Sequence, residues 1–208
     1  TICIRDRKWI YRENSLLSKN KRLISRIENI ASFHNGFSAL TKNLKMPISQ
    51  LHGEEADILK EKINFKLPGA AGFKPHQDSQ AGWGAYANFF ISAFISIDES
   101  TIENGCLEIS GGHSLSKLYD SWQPISDANM KHLNFIPIPT KPGDLIFFNS
   151  FTPHKSASNK SKFPRRIYYA TYNGLSAGDN LRQYYSDKHK SYPPDIDRIK
   201  GKKYEFKV

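Results

Sequence analysis

The sequence predicts a mainly β protein, a sandwich or barrel with flanking helices, and three observations carry that expectation. Short segments either alternate apolar and polar residues or are apolar on both faces, as in EKINFKL and ANFFISAFISID. Turn-forming steps separate them, among them Glu103-Asn104-Gly105 and Lys141-Pro142-Gly143-Asp144. The 208 residues suit one core, with no linker, repeat or low-complexity tract, so a single domain over 1–208 is expected.

Residues 1–60 are expected to provide helical support. NSLLSKNKRLISRIENIASF places Leu16, Leu17, Leu23, Ile24, Ile27 and Ile30 at spacings that fit one apolar helical stripe. The β core is expected over 61–173. In EKINFKL, Lys62, Asn64 and Lys66 share one face, and Ile63, Phe65 and Leu67 share the other. ANFFISAFISID reads as a strand buried between layers. GCLEIS, NFIPIPT, GDLIFFN and RRIYYATYN complete the series. Over 174–208 the chain turns polar, and its charges and Pro193-Pro194 predict a C-terminal tail that wraps over the surface.

Charged residues at 24% and hydrophobic ones at 38% describe an ordinary globular protein. The longest apolar stretch falls well short of the ~20 residues needed to cross a bilayer, so no membrane partner is expected. Cys3 and Cys106 make no disulfide framework, which fits a cytoplasmic location. The net charge of +10 comes from clusters such as KNKR, KSKFPRR and RIKGKK, spread along the chain rather than gathered in one stripe. No nucleic-acid partner is expected, since no zinc-finger, helix-turn-helix or RNA-binding aromatic motif is present. A basic, non-enzymatic polyanion binder is the competing class. Nothing in the sequence specifies an oligomeric state.

The chemistry begins at FKPHQDSQAGWG, residues 73–84. In an extended segment His76 and Asp78 point the same way, an imidazole beside a carboxylate. Such a pair is weak alone. His154, just after GDLIFFN, is the best candidate for a third ligand. Two imidazoles and a carboxylate leave half of an octahedral ion open, which suits iron(II) that must bind a co-substrate and dioxygen. Zinc is the rival on ligand type, but its structural sites favour closed tetrahedral sets that often include Cys. Ser156 follows His154 by two residues and Arg165 opens RRIYYATYN. If the His154 and Arg165 strands pair antiparallel, the guanidinium can reach the same cavity and grip a carboxylate with two hydrogen bonds.

Taken together, LPGAAGFKPHQD, ENGCLEISGGHS, KPGDLIFFNSFTPHKS and PRRIYYATYN resemble the phytanoyl-CoA dioxygenase family of iron(II)- and 2-oxoglutarate-dependent oxygenases, from about Lys60 to Val208. The resemblance implies a double-stranded β-helix, or jelly roll. It implies His76, Asp78 and His154 as iron ligands, and Arg165 with Ser156 holding the distal carboxylate of 2-oxoglutarate. The implied reaction uses dioxygen, releases succinate and CO2, and hydroxylates an unactivated C–H of a small-molecule substrate. The texture is closest to bacterial members that act on small polar molecules such as 2-aminoethylphosphonate. A small, anionic, phosphonate- or amino-acid-like substrate is therefore expected, with desaturation or cyclisation as alternatives. Related halogenases have a small residue in place of the carboxylate ligand, so Asp78 implies hydroxylation. The chain departs from the family in having Ser110-Gly111-Gly112-His113 where Pro-Gly-Ser-His is frequent, and in an N-terminal strand and helix that look absent or shortened.

Asn64 is the candidate to help bind 2-oxoglutarate, and Lys62 and Lys66 to bind the cofactor or an anionic substrate. The plainer alternative is a solvated edge strand, where lysines discourage pairing. Gln77, Gln80 and Trp83 are candidate substrate-pocket residues, Trp83 alternatively a buried loop anchor. His113 is expected to be structural, and His34, His52, His132 and His189 show no partner pattern.

Overall fold

The computed structural model describes residues 9–112 and 117–204. Two antiparallel sheets face each other. The larger has the order β1 (Ile10–Asn14), β2 (Arg22–Glu28), β3 (Ala56–Lys66), β10 (Arg165–Gly174), β5 (Phe90–Ser96) and β8 (Leu145–Asn149). The smaller has the order β4 (Phe73–His76), β9 (His154–Ser156), β6 (Leu107–Ser110) and β7 (Phe135–Ile138). This is the expected jelly roll, and His113 and the final Glu205–Val208 lie outside the described residues.

The two-residue period of a strand sorts side chains between two compartments. On β10, Tyr168, Ala170 and Tyr172 join Ile63, Ile91 and Ala93 in the main core, whereas Ile167 packs between the sheets with Phe94, Leu107 and Phe148. Helix α1 (Asn35–His52) covers the outer side, burying Thr41, Leu44 and Ile48 at helical spacing. The His34 side chain caps its start by accepting from the Phe37 N–H, and Gly53 ends it at φ 82°, a left-handed conformation that favours glycine. The Thr41 hydroxyl meets the Tyr168 hydroxyl at 2.6 Å, and the Tyr172 hydroxyl donates to the Thr41 carbonyl at 2.6 Å.

The structure corrects the sequence reading at both ends. The stretch read as helical around Leu16 to Ile30 forms β2 and the turn before it, with Leu16 and Leu17 exposed. Residues Arg26, Ile27 and Glu28 pair with Asn64, Ile63 and Lys62 on β3. Its leucines and isoleucines fit either period, and this pairing decided between them. Residues 10–52 thus supply two strands and a helix where these elements looked shortened or absent. The polar tail is also more than a surface wrap. It forms α3 (Leu181–Ser191), whose Tyr184 and Tyr185 are buried with Leu59, Trp83 and Phe90. A short helix, α2 (Asp127–Met130), lies in the long β6–β7 connection.

Candidate metal centre and its cavity

His76 ends β4 and His154 opens the neighbouring β9, and the two are register partners in the smaller sheet. Asp78 follows in a 3-10 turn over Asp78–Ala81. Glycine at position 72 permits this arrangement, because a Cβ there would collide with the backbone carbonyl of Ser156. One ligand atom each from His76, Asp78 and His154 lies within 4.8 Å of the others.

The histidines are oriented for a metal. The Nδ1 of His76 lies 2.7 Å from the Lys74 carbonyl, and that of His154 lies 2.9 Å from the Thr152 carbonyl. A carbonyl only accepts, so each Nδ1 carries the proton and each Nε2 keeps a free lone pair. Burial, with the neighbouring His154, pushes His76 down to about 3, so the ring is neutral. Burial alone would raise the Asp78 carboxyl, but His154, Lys60 and Lys62 hold it below the usual carboxylate range. Two imidazoles, each with Nδ1 committed to a backbone carbonyl, and one ionised carboxylate make a donor set that fits iron(II).

The centre opens into a cavity of about 730 Å³ between the sheets. Strand β3 lines it with Lys60, Lys62 and Asn64, β10 with Tyr169 and Thr171, and β9 with Ser156. Trp83 and Tyr184 wall it farther along, and Arg26 and Lys188 line it too. The Lys60 ammonium sits 3.7 Å from the centre of the Trp83 ring and 5.5 Å from that of Tyr184. Burial, reinforced by Lys62, pushes Lys60 well below the usual lysine range, and burial lowers Lys62 as well. Arg26 and Lys188 share the buried carboxylate of Glu28, at 2.8 and 2.6 Å.

The structure separates the sequence candidates. Lys62, Asn64, Ser156 and Trp83 line the cavity with the metal ligands. Lys66 does not: its ammonium is buried and donates to Ser156 Oγ, the Ala157 carbonyl and the Gly105 carbonyl. Arg165 is 2% exposed and also outside the lining. Its Nε donates to Ser100 Oγ at 3.0 Å, and its side chain also bonds Tyr169, which does line the cavity. The antiparallel pairing expected between the His154 and Arg165 strands does not occur, because β9 and β10 lie in different sheets. Arg165 faces Lys66 in register, and Lys66 bridges to Ser156 across the sheets.

Gln77 and Gln80 do not line this cavity. Gln77 is buried, donates to the carbonyls of Lys117 and Phe151, and accepts from the Tyr119 N–H. Gln80 donates to the carbonyls of Asp120 and Gln123 and accepts from the Gln77 N–H. Together they clamp the loop that brings Trp122 to the cavity. Sequence reading missed Lys60, Arg26, Tyr169, Thr171, Tyr184 and Lys188. Extending the EKINFKL parity back two residues finds Lys60, and the parity of RRIYYATYN finds Tyr169 and Thr171. Arg26 and Lys188 lay in segments assigned the wrong structure.

Known proteins are similar to this chain. A 2-aminoethylphosphonate dioxygenase from uncultured bacterium HF130_AEPn_1 is 38% identical over 95% of the chain and 77% of its own length. A methylphosphonate hydroxylase from Gimesia maris is 37% identical over 95% of the chain and 76% of its own length. Among solved structures, EctD from S. alaskensis with 2-oxoglutarate and 5-hydroxyectoine superposes with a TM-score of 0.67 at 22% identity, over 74% of this chain and 57% of that one. Among the described residues, no helix is long and apolar enough to cross a membrane. Residues 6–167 match the phytanoyl-CoA dioxygenase family, and the chain belongs to that family.

Proposed function

We propose that the protein is an iron(II)- and 2-oxoglutarate-dependent dioxygenase that hydroxylates a C–H bond of a small phosphonate-like anion. The observation that carries this reading is the convergence of His76, Asp78 and His154 on one cavity whose far wall holds lysines. Its relatives named for phosphonate substrates support the same class. Iron with 2-oxoglutarate and dioxygen supplies the power to oxidise an unactivated C–H, yielding succinate and CO2.

The chain's own residues bind, orient and exclude water. His76, Asp78 and His154 hold the metal, and Asp78 fills the third ligand position, which favours hydroxylation over halogenation. Arg165, Tyr169, Ser156 and Asn64 form the anchor for the distal carboxylate of 2-oxoglutarate, the last three from the cavity wall. Asn64 can serve the anchor only through its side-chain N–H, because a carboxylate oxygen accepts and does not donate. Trp83 and Tyr184 close the opposite end against water. Several cations turn into this cavity, which favours a small anion over nucleic acid as the partner. Buried, unpaired Cys106 fits a cytoplasmic enzyme.

The test is succinate release by the iron-loaded protein with 2-oxoglutarate and either methylphosphonate or 2-aminoethylphosphonate. Substrate-stimulated succinate and a hydroxylated phosphonate are expected. Absence of 2-oxoglutarate binding to the iron-loaded protein would overturn the reading.

A further inference from the structure

The cations of the cavity are not equivalent. Arg26 and Lys188 are both engaged by Glu28. Lys66, outside the lining, is saturated by one hydroxyl and two carbonyls; of the other lining lysines, Lys155 pairs with Glu108, and Lys202 and Lys203 are exposed to solvent. Lys60 and Lys62 are different: among the described residues, neither ammonium has a hydrogen-bond acceptor or an ion-pair partner. Their close neighbours are ring faces, Trp83 at 3.7 Å from Lys60 and Tyr169 at 5.2 Å from Lys62. A ring face attracts a cation but accepts few of its three N–H donors. Lys60 is 7% exposed and Lys62 is partly buried, and both line the cavity, so their donors face the cavity and no protein acceptor. Such groups are rare in folded proteins unless a ligand completes them.

Lys60 lies beyond the 2-oxoglutarate anchor, and Lys62 borders it over the Tyr169 ring. On β3, Lys66 is in register with Arg165, Asn64 with Ile167, Lys62 with Tyr169 and Lys60 with Thr171. At about 3.3 Å per residue, Lys60 lies roughly 20 Å along the strand from Lys66 and about 7 Å from Lys62. Asp78, the carboxylate electrostatically coupled to both lysines, is committed to the metal. The cavity thus has a carboxylate-anchoring end at Arg165 and Ser156, and two lysines beyond it, Lys62 over Tyr169 and Lys60 under Trp83, with no ion-pair partner among the described residues.

Resting on the oxygenase reading above, we propose that Lys60 and Lys62 together grip the dianionic phosphonate head of the substrate. Lys60, stacked on Trp83, is the specificity-determining member. Two ammonium groups select a doubly charged, three-oxygen head over a singly charged carboxylate. The head is held at the end of the cavity away from Arg165, which leaves the carbon attached to phosphorus turned toward His76, Asp78 and His154.

Calorimetry on the anaerobic protein loaded with iron(II) and 2-oxoglutarate tests this at pH 8. The probes are methylphosphonate and its monomethyl ester, which carries one charge fewer. Wild type should bind the dianion at least tenfold more tightly than the ester. Lys60→Met and Lys62→Met should each weaken the dianion by roughly tenfold to a hundredfold, the worth of one charge-assisted hydrogen bond, and shrink its preference over the ester. Lys60→Arg should recover part of the loss, and the affinity for 2-oxoglutarate should stay within about twofold in both Lys60 variants. Equal binding of the two probes by wild type overturns the proposal without any variant. So does a loss of 2-oxoglutarate affinity with phosphonate affinity unchanged, which would assign the lysines to the co-substrate and leave the oxygenase reading standing. Failure of wild type to bind 2-oxoglutarate would instead remove the oxygenase reading itself.

Discussion

Lys66 on β3 donates a 2.7 Å hydrogen bond to Ser156 Oγ on β9, tying the larger sheet to the smaller one beside the metal centre. The same ammonium reaches the carbonyls of Ala157 and Gly105 at 2.6 and 3.2 Å. Burial, with Arg165 next to it, pushes this lysine down to about 7. Lys66→Met keeps the stem but orphans the buried Gly105 carbonyl, unties that of Ala157 and releases Ser156. We expect a loss of about 3 kcal/mol in urea unfolding and a weaker grip on 2-oxoglutarate in calorimetry.

Removing a metal ligand should act on iron before anything else. Asp78→Ala is expected to lower iron(II) affinity on the order of 100-fold or more and to abolish hydroxylation, measured as bound iron after desalting and as succinate formed. Retention of full iron content would remove Asp78 from the ligand set.

Glu28 couples the last helix to the larger sheet. Lys188 Nζ lies 2.6 Å from both of its oxygens and Arg26 Nε lies 2.8 Å from one. Burial works against its charge, but Lys188 and Arg26 outweigh it and hold the carboxyl down at about 2. The folded pKa is below the unfolded one, so this stabilisation is complete above about pH 4.5 and fades as pH falls toward 2. Glu28→Gln should cost about 3–5 kcal/mol near neutrality, because two buried cations lose their partner, and less at pH 3. Chemical denaturation at the two pH values checks both.

Glu61 titrates the other way. It is 3% exposed, one oxygen accepts from the Ala31 N–H at 3.0 Å, and the other has no partner among the described residues. Burial pushes its carboxyl up to about 8. Between about 4.5 and 8 the folded chain keeps a proton that the unfolded chain has lost, so stability falls as pH rises through that window. The slope approaches ~1.4 kcal/mol per pH unit for one group. Glu61→Gln should flatten the dependence and raise the melting temperature at pH 8, read by thermal unfolding across pH 5–8.

Gly82 sits at φ 77° in the turn after the metal ligands, and a Cβ there would run into the Trp122 ring. Gly82→Ala is expected to cost about 1–2 kcal/mol from its backbone conformation and to displace Trp122 from the cavity. A raised substrate KM with unchanged 2-oxoglutarate KM is the kinetic signature; equal changes in both would contradict it.

The metal centre was legible because its determinants are local. The two-residue parity that turns His76 and Asp78 one way, and the strand start at His154, are properties of short segments. The same parity placed Lys62 and Asn64 correctly. It failed for Lys66, whose direction gives way to a three-acceptor socket built from distant residues 105, 156 and 157. Gln77 and Gln80 turn away from this cavity because their partners lie in a loop some forty residues away. Arg165 was placed on the wrong neighbour because sheet membership is a nonlocal choice, and β2 was misread because Ile and Leu at mixed spacing satisfy both periods.

The order in which the chain is made has a consequence for the cavity. All three metal ligands lie before residue 155, whereas Tyr184 and Lys188 on α3 come later, and Lys188 must find Glu28 on β2. A nascent chain can therefore assemble its donor set while one end of the chamber still stands open to water. The Glu28–Lys188 contact is the latch that ends that interval, joining an early strand to a late helix. A site that handles dioxygen thus gains its α3 wall only after its donor set has been synthesised.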